Sequence, residues 1–430
     1  MEQVLTIHKV IHGGKGLGIR EDGMVVMVPG VLPGEIVTVR ETKSHRGHKE
    51  AELVRIEQAS PERITPPCPF YGRCGGCDLQ HAAYSAQLRI KRQVLQELLL
   101  RAGLEPADDQ PCSTLPSPLT LGYRFRIRLH LDQTGNLGFH QISSNSVVPV
   151  GRCLLATDAI NRVLEILIEE QWPHRLKGQF GEVELIHSPF DNRVILVLHP
   201  LAAASKAQAV ALADAMRPLS VPIVVRRTPH GRGGEDQTVL GQHFDCLGLR
   251  YDLHWDPGCF FQVNVAQNPR LIALALGALA PLSPPFTALD LFCGMGNFSI
   301  PLTLRGARVT GIEHNHQSIR WATSNSRANG LDAARFMAGD VETQLRALAR
   351  RHAAFDCILL DPPRQGLGKA AALLPRLGPR FIVAISCDPA TQARDLARIL
   401  ANGYRLRHIT PVDMFPQTHH IESVALLERN

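Results

Sequence analysis

From Phe286 onward, apolar runs of strand length alternate with segments of helical pattern. TALDLFC reads as a strand and NFSIPLTLRG as a helix. RVTGIE is a strand before a helix that runs to Asn329, and ARFMAGD is a strand before a helix that runs to Arg351. FDCILLDPP, FIVAISC, YRLRHITPVDMF and IESVALLER complete the series. Strands separated by helices of roughly 10–15 residues pair as parallel neighbours, because each crossover returns the chain to the same edge of the sheet. The predicted architecture is therefore α/β, a doubly wound Rossmann-like sheet. No helix separates the last two strands, so one of them is expected to enter antiparallel. In such a sheet ligands bind beyond the carboxyl ends of the strands, which directs attention to the residues that end each one.

Those residues carry chemistry. The first strand runs into DLFCGMGNFSI, Asp290 to Ile300, where glycines let the backbone approach a ligand closely. GMGNFS lacks the third glycine of a dinucleotide fingerprint. Glu313 ends the second strand, where a carboxylate can accept ribose hydroxyls, and Asp340 ends the third, within reach of an adenine edge. An adenosine cofactor with no phosphate to hold, S-adenosylmethionine, fits this pattern. The fourth strand ends in DPPR, Asp361 to Arg364, a rigid turn that offers a carboxylate and carbonyls to a planar polar ring. Cys387 ends the fifth strand and precedes a helix, whose N-terminal field is expected to favour the thiolate. Glu422 opens the last strand and is a candidate base. The neighbouring His419 and His420 point in different directions, so a metal pair is not expected there.

The N-terminal half reads differently. Residues 1–58 hold short strands broken by glycine and proline, the pattern of a small β-barrel. GGKGLG within it has neither the spacing nor the following helix of a phosphate loop. A proline-rich connector, SPERITPPCP, leads to CPFYGRCGGC. Cys112, Cys246, Cys259, Cys293, Cys357 and Cys387 are scattered. Cys68, Cys74 and Cys77 cluster, with Cys153 as a fourth. No export signal is visible, so metal or cluster ligation is a better reading than disulfides, and the expected compartment is the cytoplasm. Zinc sites usually pair closely spaced cysteines. Here five residues separate Cys68 from Cys74 and 75 separate Cys77 from Cys153, which favours an iron–sulfur cluster modestly.

An amphipathic helix is predicted over 83–103, with Leu88, Leu95, Leu98 and Leu99 at helical spacing and Gly103 as its stop. YRFRIRLHL alternates, placing Arg124, Arg126 and Arg128 on one face of a half-buried strand as a candidate surface for RNA phosphates. VELIHSP and RVILVLHP read as paired strands and 203–216 as a helix. Net charge is +6, and arginine supplies 38 of the 46 basic residues. That suits a nucleic-acid partner, and it suits a GC-rich coding sequence as well. No apolar run approaches the ~18–20 residues of a membrane span.

The motifs CPFYGRCGGCDLQH, CFFQVN, DLFCGMGNF, DPPRQGL, SCDPATQARD and DMFPQTHHIE occur in order. Together they identify a chain that resembles the bacterial RNA uracil-5-methyltransferases. The similarity is greatest to the 23S ribosomal RNA branch, which carries a TRAM barrel and a [4Fe–4S] cluster. The resemblance implies Cys387 as the nucleophile toward uracil C6 and Glu422 as the base at C5. It implies Gln262, Phe292, Asn297, Glu313, Asp340 and Asp361 as cofactor contacts, and Phe260 or Phe261 against a flipped uracil. Cys68, Cys74, Cys77 and Cys153 match the cluster ligands. The expected units are a TRAM barrel over 1–59, a central α+β unit with the cluster over 60–258, and a methyltransferase unit over 259–430. Part of 82–111 is a candidate for packing against the last. The expected partner is 23S rRNA and the expected state a monomer. A transfer-RNA enzyme and an inactive RNA-binding scaffold are the alternatives. The chain departs from the family at Asp388, where asparagine is usual, at EHNHQ, and at Leu154, where proline usually follows the fourth cysteine.

The chemistry is self-consistent. Uracil C5 is a poor nucleophile until a thiolate adds at C6 and moves electron density onto it. A base then removes the C5 proton. Reaching the ring requires the base to leave its stack.

Overall fold

A computed structural model describes residues 2–105, 113–203, 205–226 and 238–430; Cys112 lies outside them. Strands β1 (Glu2–Val10), β2 (Gly16–Ile19), β3 (Val25–Val28), β4 (Ile36–Ser44) and β5 (Lys49–Gln58) close into a barrel in the order β1-β2-β3-β5-β4. Alternation builds its interior: Leu5, Ile7, Val26, Val28, Val37 and Val39 point inward and form its core. A Cβ on Gly16 would lie 2.3 Å from the Val31 side chain, so only glycine fits there. GGKGLG spans the end of the turn after β1 and the first three residues of β2, with no helix following, as its lack of phosphate-loop spacing implies.

Helix α1 (Tyr84–Arg101) separates the barrel from the C-terminal sheet. Ala86, Ile90 and Val94 pack with Val10 and Leu32 of the barrel region and with Ile421. Leu95 and Leu99 pack into the C-terminal core. Of the four leucines predicted to form its apolar stripe, Leu95 and Leu99 are buried, and Leu88 and Leu98 are half-buried.

The central sheet has the order β11-β10-β9-β6-β7-β8. Its strands are β6 (Arg126–Leu131), β7 (Leu137–His140), β8 (Val147–Pro149), β9 (Phe180–Ser188), β10 (Arg193–Pro200) and β11 (Ile223–Val225). Helices α2 (Asp158–Glu169), α3 (Trp172–Leu176) and α4 (Lys206–Ala215) belong to this region. Ile160, Leu164 and Leu167 of α2 fill the core beneath the sheet. The hairpin β12 (Leu240–Cys246) and β13 (Leu249–Trp255) packs into the C-terminal core through Phe244, Tyr251, Leu253 and Trp255.

The C-terminal sheet has seven strands in the order β16-β15-β14-β17-β18-β20-β19. Their ranges are β14 (Phe286–Leu291), β15 (Ala307–Glu313), β16 (Ala334–Ala338), β17 (Cys357–Leu360), β18 (Phe381–Ser386), β19 (Tyr404–Val412) and β20 (Glu422–Arg429). The accompanying helices are α5 (Asn268–Gly277), α6 (Ser299–Leu304), α7 (His316–Ala328), α8 (Val341–Arg350) and α9 (Pro389–Leu400). β14 to β18 are mutually parallel, and β20 enters antiparallel between β18 and β19. The predicted doubly wound sheet with one antiparallel strand is therefore present. Winding reverses between β14 and β17, which opens a crevice at their carboxyl ends. Among the described residues no helix is long and apolar enough to cross a membrane.

Candidate active site

The strand-end residues expected to carry chemistry converge on this crevice. Beyond β14 the chain turns through Phe292 (φ 62°), Gly294 (φ 55°) and Gly296 (φ 99°). A Cβ on Gly294 would meet nothing within 4 Å, so the loop faces open space. Glu313 at the end of β15 accepts from Gly294 N at 3.3 Å and from Asn315 N at 2.7 Å, which holds its carboxylate beside that space. Asn297 exchanges hydrogen bonds with Asn268, at 2.8 and 3.2 Å. Asp340 caps α8 instead of pointing freely: its Oδ1 accepts from Thr343 N at 2.9 Å and Thr343 Oγ1 at 2.8 Å. These bonds hold its carboxyl below the usual range. An open glycine turn flanked by carboxylates suits a ribose and a cationic sulfonium, so the residues fit S-adenosylmethionine.

Cys387 and Glu422 meet across adjacent strands. Ser386 pairs with Ser423 as the last rung of the antiparallel register of β18 and β20, which brings Cys387, just beyond β18, close to Glu422 at the start of β20. Asp361 ends β17 beside them and accepts from Gln262 Nε2 at 3.4 Å. Burial pushes the Asp361 carboxyl up to about 7. Glu422 is raised well above the carboxylate range by burial and by Asp361, and its Oε1 finds no hydrogen-bond partner. The Cys387 thiol is pushed up to about 11, first by burial and then by Glu422 and Asp361. This corrects the expectation from its position before α9. The helix field is outweighed by desolvation and two carboxylates.

Asp388 is the N-cap of α9, accepting from Thr391 N at 2.9 Å, with Pro389 next. Asparagine and aspartate cap about equally well, which explains how this departure is accommodated. Of the two candidate aromatics, Phe261 is buried against Trp255 at a centroid distance of 5.0 Å, and Phe260 is exposed.

Cys68, Cys74, Cys77 and Cys153 line one cavity with Tyr71 and Arg124. Among the described residues the sole triad of His, Cys, Asp or Glu ligand atoms within 4.8 Å of one another is His45, His48 and Glu50. Four thiols converging on one cavity are a donor set that fits a cysteine-ligated metal centre. Gly76 N donates to Cys74 Sγ at 3.5 Å, a bond that stabilises a thiolate ligand.

Sequence reasoning missed the anchors of the loop before Glu422. Lys91 donates to Asp413 Oδ1 at 2.6 Å and to the Phe415 carbonyl at 3.0 Å, with both charged side chains buried. Gln87 and Gln417 exchange hydrogen bonds at 2.9 and 3.0 Å. Tyr123 Oη donates to the Pro416 carbonyl at 3.0 Å, and Asn264 Nδ2 to that of Met414 at 3.1 Å. The available signal was Gln87 and Lys91, polar residues one turn apart on an otherwise apolar helix face. Ser423 Oγ donates to Gln392 Oε1 at 2.5 Å and locks β20 to α9.

The basic strand also differs from expectation. Arg126 pairs with the buried Glu184, and Arg128 reaches Glu182 and Glu184 at 3.4 Å. Burial alone would raise Glu184; His199, Arg126 and Arg128 reverse this and hold it at about 2. Arg124 lies 5.8 Å from the Tyr123 ring and 6.0 Å from the Phe415 ring, beside the cysteines. These arginines are occupied within the protein instead of forming a free phosphate-binding face.

Residues 83–430 match the family described as tRNA (Uracil-5-)-methyltransferase. A Shewanella sp. (strain MR-7) protein named 23S rRNA (uracil(1939)-C(5))-methyltransferase is 34% identical over 440 residues, covering 99% of this chain and 96% of that protein. Its namesake from Shewanella baltica (strain OS223) is 35% identical over 439 residues, covering 99% and 95%. The crystal structure of Pyrococcus abyssi tRNA (uracil-54, C5)-methyltransferase in complex with S-adenosyl-L-homocysteine aligns with a TM-score of 0.74 and 26% identity, covering 99% of this chain and 100% of that one.

Proposed function

The chain belongs to the tRNA (uracil-5-)-methyltransferase family, and from that premise we propose that it methylates C5 of a uridine in 23S ribosomal RNA. The observation that carries the reading is the proximity of Cys387 and Glu422, which flank the last paired rung of β18 and β20, Ser386 with Ser423, at the crevice edge. The ribosomal assignment is supported by the Shewanella relatives, which match along 99% of the chain.

In the proposed reaction Cys387 first loses its Sγ proton to solvent, the thiolate adds to C6 of a uracil flipped out of its stack, and the C5=C6 pair moves toward C5 and O4. When bound, S-adenosylmethionine supplies the methyl electrophile for C5 and a positive sulfonium that offsets the carboxylates around the thiol. Glu422 then takes the C5 proton. The C–H electron pair restores C5=C6, the C6–S bond breaks, and the thiolate leaves. Gln262, Phe292, Asn297, Glu313, Asp340 and Asp361 are the residues we assign to cofactor contact. Gln262 fixes the Asp361 carboxylate, and Glu313 is presented to the ribose by its two backbone donors.

We further assign a [4Fe–4S] cluster to Cys68, Cys74, Cys77 and Cys153, with Arg124 as the positive charge beside the thiolates. The cluster lies outside the reaction and orders the loop that holds it. The barrel is assigned to RNA binding and the working unit is taken to be a monomer.

The test is methyl transfer to 23S rRNA fragments and to transfer RNA in parallel, with the modified position mapped. Position 1939, named for the relatives, is the first to examine. Cys387→Ala should lose activity by on the order of 10³-fold or more and form no covalent RNA adduct. Methylation of transfer RNA alone would move the assignment to the other branch. An adduct in Cys387→Ala would remove the nucleophile assignment.

A further inference from the structure

We propose that Asp78 and His419 are positioning residues that carry the order of the cysteine-bound cluster to the Glu422 carboxylate. The proposal rests on reading Cys68, Cys74, Cys77 and Cys153 as cluster ligands and Glu422 as the base.

Asp78 directly follows Cys77. Its Oδ1 accepts from His419 N at 2.7 Å, and its Oδ2 pairs with His419 Nδ1. The amides of Asp78 and Leu79 both donate to the Gln417 carbonyl, at 3.2 and 3.0 Å. Tyr71 Oη fixes the same turn from the other side, donating to the Asp78 carbonyl at 2.8 Å. The barrel roofs the contact: a Cβ on Gly14 would lie 3.0 Å from His419 Cβ and 3.1 Å from Asp78 Oδ2. Three separate stretches of chain therefore meet on this pair, and β20 begins at Glu422 just beyond it.

Two features make the contact consequential. First, Glu422 Oε1 has no hydrogen-bond partner, so its position depends heavily on the backbone that carries it. Lys91, Tyr123 and Asn264 anchor residues 413–416; in the loop that leads into β20, the anchors nearest the base come from the cluster loop and from Gln87. Second, residues 68–78 contain no helix or strand, and their cysteines are only half-buried. Such a loop takes its order from ligation. Cys387 is held from its own side, by the Asp388 cap of α9 and by Gln392, whose Nε2 donates to the Ala384 carbonyl of β18 at 3.0 Å. Loosening Asp78–His419 should therefore impair proton removal and spare attack.

The experiment uses full-length protein purified without oxygen, RNA tritiated at uridine C5, and S-adenosylmethionine labelled in the methyl group. In Asp78→Ala, tritium release should slow by roughly 10- to 100-fold, the cost of a displacement of about an ångström. Methyl transfer should persist, and a methylated protein–RNA adduct should accumulate on denaturing gels while iron content stays at the parental level. Asp78→Asn keeps an acceptor for His419 N and should recover part of the release rate. Equal losses of methyl transfer and tritium release, with iron retained and no adduct, would overturn the proposal. Should Asp78→Ala fail to retain iron, His419→Ala leaves Asp78 in place and is held to the same outcomes.

A contact that orders the base loop also restrains local opening of the loop that carries the cysteines. Without RNA, His419→Ala should lose its visible cluster absorbance to a chelator faster than the parent, by roughly 5-fold or more. An unchanged rate would overturn the clamp. Glu422→Gln serves as the reference: absence of a trapped adduct there would reject the base assignment itself. The absorbance measurement decides the clamp in either case.

Discussion

Phe260 and Phe261 are neighbours in sequence and opposites in exposure: 65% of Phe260 is open to solvent, against 2% of Phe261. Asp256 sets this division by accepting from Gly258 N and Trp321 Nε1, each at 2.8 Å, which pins the loop so that one ring enters the core. Stacking of a base on an aromatic ring is worth about 1–3 kcal/mol. Phe260→Ala should therefore weaken RNA binding by roughly 5- to 150-fold and leave the melting temperature nearly unchanged. Phe261→Ala should cost about 3–5 kcal/mol of stability instead. RNA titration and thermal melts on both variants check this.

Arg126→Ala should act on stability before it acts on RNA. The substitution removes the closest partner of Glu184, which is 1% exposed, and leaves it Arg128 at 3.4 Å and His199 at 3.2 Å. Leaving a buried charge unpaired costs about 3–5 kcal/mol, so with two partners retained the loss should fall below that range. Denaturant melts should show the loss, and Arg126→Ala with Glu184→Gln should recover part of it. A variant of parental stability with a flattened salt dependence of RNA binding would return this strand to the phosphate surface.

Stability should fall as pH rises through the window set by Asp361. Its folded-state value near 7 exceeds that of an unfolded aspartate, so the folded chain keeps a proton that the unfolded chain has released. The contribution is full below the unfolded value and is lost toward pH 7. Asp361→Asn removes the penalty. Without cofactor it should be more stable than the parent at about pH 8, by up to roughly 4 kcal/mol, and indistinguishable at about pH 4. Melts across that range test the sign.

Free Cys387 should react slowly with iodoacetamide near neutral pH. Burial and two carboxylates hold its thiol at about 11, and the thiolate is the reactive form. Mass spectrometry of the Cys387 peptide should show alkylation still rising above about pH 9. A plateau near neutrality would mean that the helix field prevails.

Anaerobically purified protein should carry about four irons and four sulfides per chain, the content of a cubane cluster. Cys153→Ala should lower both. Stoichiometric zinc without sulfide would overturn the cluster assignment.

The sheet and the convergence of its strand ends were legible because both follow from local pattern. An apolar run, a glycine turn and a terminal acid each announce themselves within a few residues, and the doubly wound rule brings the ends together. What stayed hidden depends on contacts across long stretches of chain. Arg126 and Glu184 are 58 positions apart, so an alternating basic strand could not reveal that its charges were already matched. Lys91 and Asp413 are 322 apart, and nothing near Asp413 marks it as buried. The Cys387 thiol was misjudged for a related reason. The helix that follows it is local, whereas Asp361 and Glu422 arrive from other strands.

The insertion of β20 between β18 and β19 bears on how the enzyme is made. The slot beside β18 is filled by a strand that leaves the ribosome after both of its neighbours, so a growing chain exposes the nucleophile's strand before the base exists. A chain arrested before Ile421 would leave the inner edge of β18 without its partner, and β19 could not dock in its final place. Attack without elimination would consume an RNA molecule irreversibly. On the proposed roles, the strand that completes the sheet also carries the base, so a chain that ends before Ile421 lacks both the last strand and Glu422.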